Sequence, residues 1–200
     1  MKLESEIVNS FIERSSKVLD VGCGDGEILL NLKEQKNIDA RGFEIDHKKV
    51  QESLIKGLSV IQGDAEKDLM NYPNKSFDYV ILTQTLQAFY DPRKVLNEIL
   101  RIGKNAIVSI PNFGYWKVRL DLLIKGKMPV TEALPNTWFN TPNLHMCTIK
   151  DFYELCNLDG IEIKKSIAIT NKKHSAITKS NLEFKNLTSE LAIFLLSKSN

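Results

Sequence analysis

Short apolar, β-branched runs alternate with amphipathic helical stretches from residue 17 to residue 110. That alternation predicts an α/β protein, with a mainly parallel, doubly wound sheet and helices on both faces. A second observation agrees: Val80-Ile81-Leu82 is apolar on consecutive positions, as a strand covered on both faces requires. The third is Lys17-Val18-Leu19-Asp20-Val21-Gly22-Cys23-Gly24-Asp25-Gly26-Glu27, a strand that breaks into alternating glycines and then turns helical. At 200 residues, 42% of them hydrophobic, the chain suffices for one well-buried core and is expected to form one domain over 1–200.

The elements follow in order. Ser5 to Glu13 has the spacing of a short amphipathic helix. Val18 to Val21 is the first strand, and Gly26 to Glu34 the helix after the glycine turn. Ala40 to Glu44 reads as a second strand ending in an acid, Lys48 to Lys56 as a helix and Val60 to Gln62 as a third strand. Asp46 stands where an N-cap belongs, before a helix starting near His47. Tyr79 to Thr83 is the fourth strand. Pro92 in a first turn and Gly103 just past the last periodic residue bracket a helix, and Ala106 to Ile110 is the fifth strand. Thr148 is expected to cap a helix with Asp151 in its first turn. Ile161 to Ile169 and Leu191 to Leu196 complete seven strands, joined by a polar stretch over 170–189 whose pattern favours no element.

The glycine turn is a device for holding a small charged group against free backbone N–H groups at a helix N-terminus. A dinucleotide fingerprint would place its third small residue at position 27, where this chain has Glu27, an acid that would face the pyrophosphate. The order hydrophobic-Asp-x-Gly-x-Gly-x-Gly instead resembles motif I of the class I S-adenosylmethionine-dependent methyltransferases. By that resemblance the turn lies along the methionine moiety and Asp20 meets its ammonium group. Glu44, about twenty residues past the turn, is placed to accept bonds from two ribose hydroxyls. Asp64, in Gly63-Asp64-Ala65 after the third strand, is where such methyltransferases commonly put an acid beside the adenine amino group.

Composition excludes other classes. A formal charge of +2 gives no electrostatic footprint for nucleic acid, and Lys164-Lys165 and Lys172-Lys173 read as solvated strand-end and loop charges. No apolar run approaches the roughly 20 residues of a membrane span, and the N-terminus lacks the pattern of a signal peptide, so a cytosolic protein is expected. Cys23, Cys147 and Cys156 suit free thiols in a reducing compartment. With His47, His145 and His174 scattered singly, no metal-ligand spacing is present.

Residues 111–147 differ in texture, holding both tryptophans, four of the six prolines and one helical stretch near Lys117 to Ile124. The segment reads as a structured excursion over the ligand edge, a lid or a partner-binding insert. Trp116, Trp138 and Phe139 suit an acceptor pocket or interface anchors, with simple packing of the lid as the plainer alternative. Lys117, Arg119, Lys125 and Lys127 form a cationic cluster beside them, most simply a solvated helix face.

The strings Pro111-Asn112-Phe113-Gly114-Tyr115-Trp116, Gly126-Lys127-Met128-Pro129-Val130 and Trp138-Phe139-Asn140-Thr141-Pro142-Asn143-Leu144-His145-Met146-Cys147-Thr148 carry a closer resemblance, together with Leu82-Thr83-Gln84-Thr85-Leu86-Gln87-Ala88. From about Val18 to Ile163 the chain resembles the methionine biosynthesis protein MetW family. The resemblance implies a Rossmann-like class I methyltransferase fold with a seven-stranded, mostly parallel sheet. It implies S-adenosylmethionine or S-adenosylhomocysteine as ligand and homoserine O-acyltransferase as partner, and it leaves oligomeric state open. Its ligand residues fall on Asp20, Gly22, Gly24, Glu44 and Asp64, with Cys23, Ile45, Ala65 and Thr83 beside them. The neighbourhood of the reactive end falls on Thr83, Gln84, Gln87, Asn112, Trp116 and His145.

His145, Gln84 and Gln87 are the candidate catalytic residues, although an amide cannot act as a base. The plainer role for His145 is to bond a loop carbonyl and hold the excursion closed. Two functions remain: a ligand-sensing or scaffolding module docked on the acyltransferase, modestly favoured by the few acid/base residues, and an active methyltransferase on a small metabolite.

Overall fold

Alternate residues of a buried strand point to opposite faces, so a strand covered on both sides must be apolar at every position. The structure, a computed structural model describing residues 2–198, follows that rule at the centre of its sheet, where Tyr79–Leu82 and Ala106–Val108 are buried without a break. Its elements are α1 (Lys2–Phe11), β1 (Lys17–Val21), α2 (Glu27–Lys36), β2 (Asp39–Glu44), α3 (His47–Ile55), β3 (Ser59–Gln62) and the single turn α4 (Ala65–Asp68). There follow β4 (Phe77–Thr83), α5 (Pro92–Ile102), β5 (Gly103–Pro111), α6 (Trp116–Lys125), α7 (Ile149–Leu158), β6 (Ile161–Thr170), β7 (Lys173–Ala176), α8 (Leu182–Thr188) and β8 (Leu191–Lys198). No helix among the described residues is long and apolar enough to cross a membrane.

One sheet runs in the order β3-β2-β1-β4-β5-β8-β6-β7. The first five strands in that order pair in parallel, and β8, β6 and β7 are joined by antiparallel pairings. The core divides by residue parity. Leu19, Val80, Leu82, Ala106 and Val108 pack with α5 and α7 on one face. Val18, Tyr79, Ile81 and Ile107 pack on the other face with Ile7, Val8, Phe11 from α1 and Leu29, Leu32 from α2. Asp20 shares its parity with Val18 and therefore lies on the α1/α2 face.

The sheet has eight strands, not the expected seven. The additional strand, β7, pairs with β6 through a hairpin whose turn residues Asn171 and Lys172 have φ of 48° and 60°. Left-handed residues at both turn positions suit the twist of a two-residue hairpin, but Asn-Lys lacks the glycine that usually marks one. All four β7 residues are exposed at the sheet edge, so no alternation announces them. α8 lies in the same unassigned stretch. Gly103 ends the helix opened by Pro92, as expected, and does so with an extended backbone, φ −93°, that opens β5.

Asn112 fastens the excursion to the body. Its Nδ2 donates to the carbonyls of Asn186 (2.8 Å) and Ser189 (2.7 Å), and its Oδ1 accepts from the N–H of Gly114 (2.9 Å) and Ile149 (3.2 Å). The expected place for Asn112, near the reactive end of the ligand, is thus replaced by a buried junction of β5, α7 and the α8–β8 connection. Loss of four buried bonds leaves two carbonyls and two N–H groups without partners, at about 1–3 kcal/mol for each group left bare. Asn112→Ala should therefore lower stability by roughly 3 kcal/mol or more in urea denaturation. An unchanged midpoint would show that the junction relaxes around the missing side chain.

Candidate functional site

The parallel strands β2, β1, β4 and β5 end at one edge of the sheet, where open α/β sheets hold ligands. β1 passes into the turn Gly22-Cys23-Gly24-Asp25-Gly26, and three of those glycines have φ between 58° and 77°. They serve different purposes. A Cβ on Gly26 would meet Leu58 Cδ1 at 2.3 Å and Ser53 Oγ at 2.9 Å, and one on Gly22 would meet Thr85 Cγ2 at 2.8 Å, so both are packing positions. At Gly24, with φ +58°, nothing lies within 4 Å of that direction. Gly24 is the glycine that faces open space.

A cavity of about 380 Å³ opens over the turn, lined by Gly22, Cys23, Gly24, Thr83 and Gln84 together with Glu4, Ser5, Asp25, Glu27, Ile28, Lys49 and Glu52. Lys49 is the one cation against four carboxylate side chains in that lining. The balance suits a ligand with a cationic end and disfavours a phosphate.

Asp20 is the most constrained group of the site. It is 1% exposed, and neither carboxyl oxygen has a hydrogen-bond partner. Burial, with Glu44 and then Glu4 adding like charge, raises its pKa from the ordinary 3.8 to about 7. A buried carboxylate without donors is costly, and an ammonium group would supply the missing donors and the missing charge. The site therefore fits the amino-acid end of S-adenosylmethionine on the orphaned Asp20 and on the open direction at Gly24. Cys23 stands in the same acidic surroundings: burial, then Asp20 and Glu44, push its thiol up to about 12, which makes it inert packing.

Glu44 has folded under the turn. Its Oε2 accepts from Gly24 N–H at 2.8 Å, and its Oε1 accepts from Ile45 and Asp46 N–H, each at 2.9 Å. A carboxylate has about four acceptor positions, so this arrangement leaves room for one ribose hydroxyl and not the expected two. Asp46 caps α3 as expected, accepting from Lys48 N–H at 2.8 Å. Asp64 caps α4, accepting from Glu66 N–H at 3.0 Å, and its ion pair with Lys67 at 2.8 Å holds its carboxyl below the usual range. Asp20 and Glu44, both buried beneath the turn, and Asp64, Ala65 and the exposed Ile45 lie outside the cavity lining.

The loop after β4 carries the three candidate catalytic residues or their contacts. Gln84 is held at φ +49°, with its N–H shared between Ser109 O (3.1 Å) and Ser109 Oγ (3.0 Å) and its Nε2 donating to Glu4 Oε2 at 2.6 Å. Gln87 is buried, donates from Nε2 to Gln84 O, and accepts on its own carbonyl from the N–H of Leu144 (2.9 Å) and His145 (3.0 Å). The His145 ring is exposed and its Nε2 lies 3.2 Å from Tyr90 O, so it ties the excursion to this loop and does not line the cavity. Gln87, Asn112 and Trp116 are likewise outside the lining.

Glu4 was not anticipated. It is buried on α1, and besides Gln84 it accepts from Ser109 Oγ at 2.5 Å. The signal was present, because Glu4, Ile7, Val8 and Phe11 fall at i, i+3, i+4 and i+7, which puts an acid on the apolar stripe of the helix. Glu4 and Gln84 also line a second cavity of about 730 Å³ that contains Glu6, Glu132, Glu190 and Lys172. A third, of about 290 Å³, lies within the excursion among Phe113, Met128, Trp138, Leu144 and Met146 and has no titratable group in its lining.

Between pH 3.8 and about 7 the folded chain keeps a proton on Asp20 that the unfolded chain releases, so stability falls as pH rises through that window. The slope is about 1.4 kcal/mol per pH unit, so the unliganded protein should lose roughly 2 to 3 kcal/mol between pH 5 and pH 7 on this account. Asp20→Asn should remove that share of the pH dependence. Urea denaturation of both proteins at the two pH values checks it, and identical pH dependence in the two would contradict the assignment.

The sequence matches the family described as methionine biosynthesis protein MetW over residues 2–196. A relative from Rhodopirellula baltica, named bifunctional methionine biosynthesis protein MetXA/MetW, is 31% identical over 176 residues, which are 84% of this chain and 28% of that one. The chain thus spans little more than a quarter of that relative's length. A solved Thermotoga maritima structure, described as an S-adenosylmethionine-dependent methyltransferase and possible histamine N-methyltransferase, superposes with a TM-score of 0.73. That superposition covers 99% of this chain and 89% of that one at 18% identity. The [4+2]-cyclase SpnF superposes with a TM-score of 0.69 over 98% of this chain and 80% of that one, also at 18% identity. Those two likenesses show the fold alone, and the names differ in reaction. The family match runs almost end to end and the fold agrees with it, so the chain belongs to the MetW family of methionine biosynthesis proteins.

Proposed function

We propose that the cradle binds S-adenosylmethionine or S-adenosylhomocysteine, and that the chain serves methionine biosynthesis as a ligand-responsive module supporting homoserine O-acyltransferase. The observation that carries the ligand assignment is Asp20, buried without a partner beside a turn whose open side is acidic. Asp20 accepts the ligand's ammonium group, the Gly22–Gly24 turn lies along its methionine moiety, and Glu44 buttresses the turn while keeping one acceptor position for a ribose hydroxyl. Asp64 is assigned to the adenine edge, where it would exchange part of its exposed contact with Lys67. When bound, S-adenosylmethionine supplies a methyl group activated by its sulfonium.

Two observations support a supporting role over independent catalysis. The candidate side chains near the reactive end are committed elsewhere: His145 to Tyr90, Gln84 to Glu4 and Gln87 to Gln84. The excursion also presents Trp138, Phe139, Leu123 and Ile124 to solvent, with Trp116 half-exposed and crossed by the Lys117 ammonium 5.7 Å from its ring. Exposed aromatic and aliphatic groups edged by charge are the composition of an interface centre. In the Rhodopirellula relative a MetXA and a MetW part share one chain by name, which favours an acyltransferase as the occupant.

An active methyltransferase on a small metabolite is the second reading. The 730 Å³ cavity favours it, since Glu4, Glu6, Glu132 and Glu190 put carboxylates able to act as a base beside the cradle.

The two faces of the proposal separate by mutation. Trp116→Ala with Trp138→Ala should weaken homoserine O-acyltransferase binding by roughly tenfold or more, as expected for two anchors, and leave S-adenosylhomocysteine affinity unchanged. Gly24→Val should do the reverse, because a β-branched residue does not tolerate φ +58° and would project into the cradle. Pull-down and calorimetry on both folded variants check the pair. Lost ligand binding with retained partner binding in the tryptophan variant would make the excursion a cofactor lid and put the methyltransferase reading first.

A further inference from the structure

Glu4 occupies a position that neither the glycine turn nor the excursion accounts for. α1 crosses the same sheet face as Asp20, since Ile7, Val8 and Phe11 pack there with Val18, Ile81 and Ile107. Thr83 and Ser109 share the parity of Ile81 and Ile107 and reach that face at the C-terminal ends of β4 and β5, next to β1. Glu4 comes down onto this edge, 6% exposed, with one oxygen accepting from Ser109 Oγ and the other from Gln84 Nε2. It lines the cradle and the larger cavity alike, and so stands at their junction. Independently, Asp20 on the same face has two buried oxygens and no donor for either.

We propose that Glu4 is the second carboxylate of the ammonium subsite, so that α1 and β1 together make the cradle select ligands bearing an α-amino group over nucleosides that lack one. The inference rests on the S-adenosylmethionine reading and deepens it by naming which part of the ligand is discriminated and by what. Two like charges enclosed without a cation repel each other, and an ammonium has three donors with which to bridge them. Ser109 and Gln84 orient Glu4 by taking one position on each oxygen, which leaves a further position on each for the ligand. A nucleoside thioether without the amino-acid end leaves the turn and both acids without a partner.

The plainer role is an anchor: Glu4 holds α1 to β5 and to the loop after β4. The two roles separate through a pair of ligands differing in the amino-acid end, S-adenosylhomocysteine and 5′-methylthioadenosine, titrated calorimetrically into the full chain at pH 8. Glu4→Gln keeps the shape and can still accept from Ser109 while removing the charge. It should weaken S-adenosylhomocysteine binding by roughly tenfold or more, the size expected for a bond to a charged group, and leave 5′-methylthioadenosine unchanged. Ser109→Ala, which removes one anchor bond and keeps the charge, should preserve the ratio between the two ligands. Equal effects of Glu4→Gln on both ligands, or none on either, would overturn the proposal and leave Glu4 an anchor. If Glu4→Gln unfolds, loss of discrimination in folded Ser109→Ala would overturn it in the same way. A wild-type chain that binds neither ligand would instead overturn the S-adenosylmethionine reading beneath it.

Discussion

A carboxylate enclosed at the end of β1 without a donor on either oxygen sets the terms for the rest of the ligand edge. Asp20 is placed there by parity alone: it follows Val18 by two residues on a strand whose two faces are both covered. Domains of this size are stabilised by only about 5–15 kcal/mol, so an unpaired buried acid is a large cost to retain. Its pKa near 7 lowers that cost by keeping a proton on it in mildly acid solution. The surrounding groups deepen the effect, because Glu44 and Glu4 are both acids and Cys23 is driven to its neutral form. A cation reverses all of these at once, whereas a phosphate would add to them. The departure from a dinucleotide turn at Glu27 belongs to the same electrostatic design, since the cavity wall that contains it carries four carboxylates and one lysine.

The excursion obeys separate constraints. Asn112 binds its start to α7 and to the chain before β8, and Gln87 receives its return through Leu144 and His145. Tyr115, Val118 and Leu134 give it a small core of its own. The loop from Gln84 to Tyr90 touches both this segment and the cradle: Gln84 bonds Glu4 and Ser109 at one end, and Tyr90 accepts from His145 at the other. Regulation requires one element that both sites bias. That loop is the element the bonds single out, and Gln84 within it is already held in a left-handed conformation that few non-glycine residues adopt.

Much of this was legible in the residues because it depends on local chemistry. The glycine turn, the N-caps at Asp46 and Thr148 and the helix opened by Pro92 each follow from a side chain acting on backbone within a few residues. The double-sided core follows from consecutive apolar positions. What escaped was non-local or exposed. β7 is an edge strand without alternation, turned by Asn-Lys, and so carried no pattern to read. Asn112 looked like a pocket residue by its place after β5, yet three of its four partners come from residues more than thirty positions away. Glu44 stands on the expected strand end, but the turn above it captured three of its acceptor positions. Glu4 was the readable omission, an acid on the apolar stripe of α1.

The most direct test is the proton balance of binding. If Asp20 is protonated in the free chain and ionised against an ammonium group in the complex, S-adenosylhomocysteine binding at pH 6 should release about one proton per site. Calorimetry in buffers of different ionisation enthalpy measures that number. That number should be near one for the wild-type chain and near zero for Asp20→Asn. Tight wild-type binding at pH 6 with no proton released would contradict it, and would mean that the ligand's ammonium group is held by something other than Asp20.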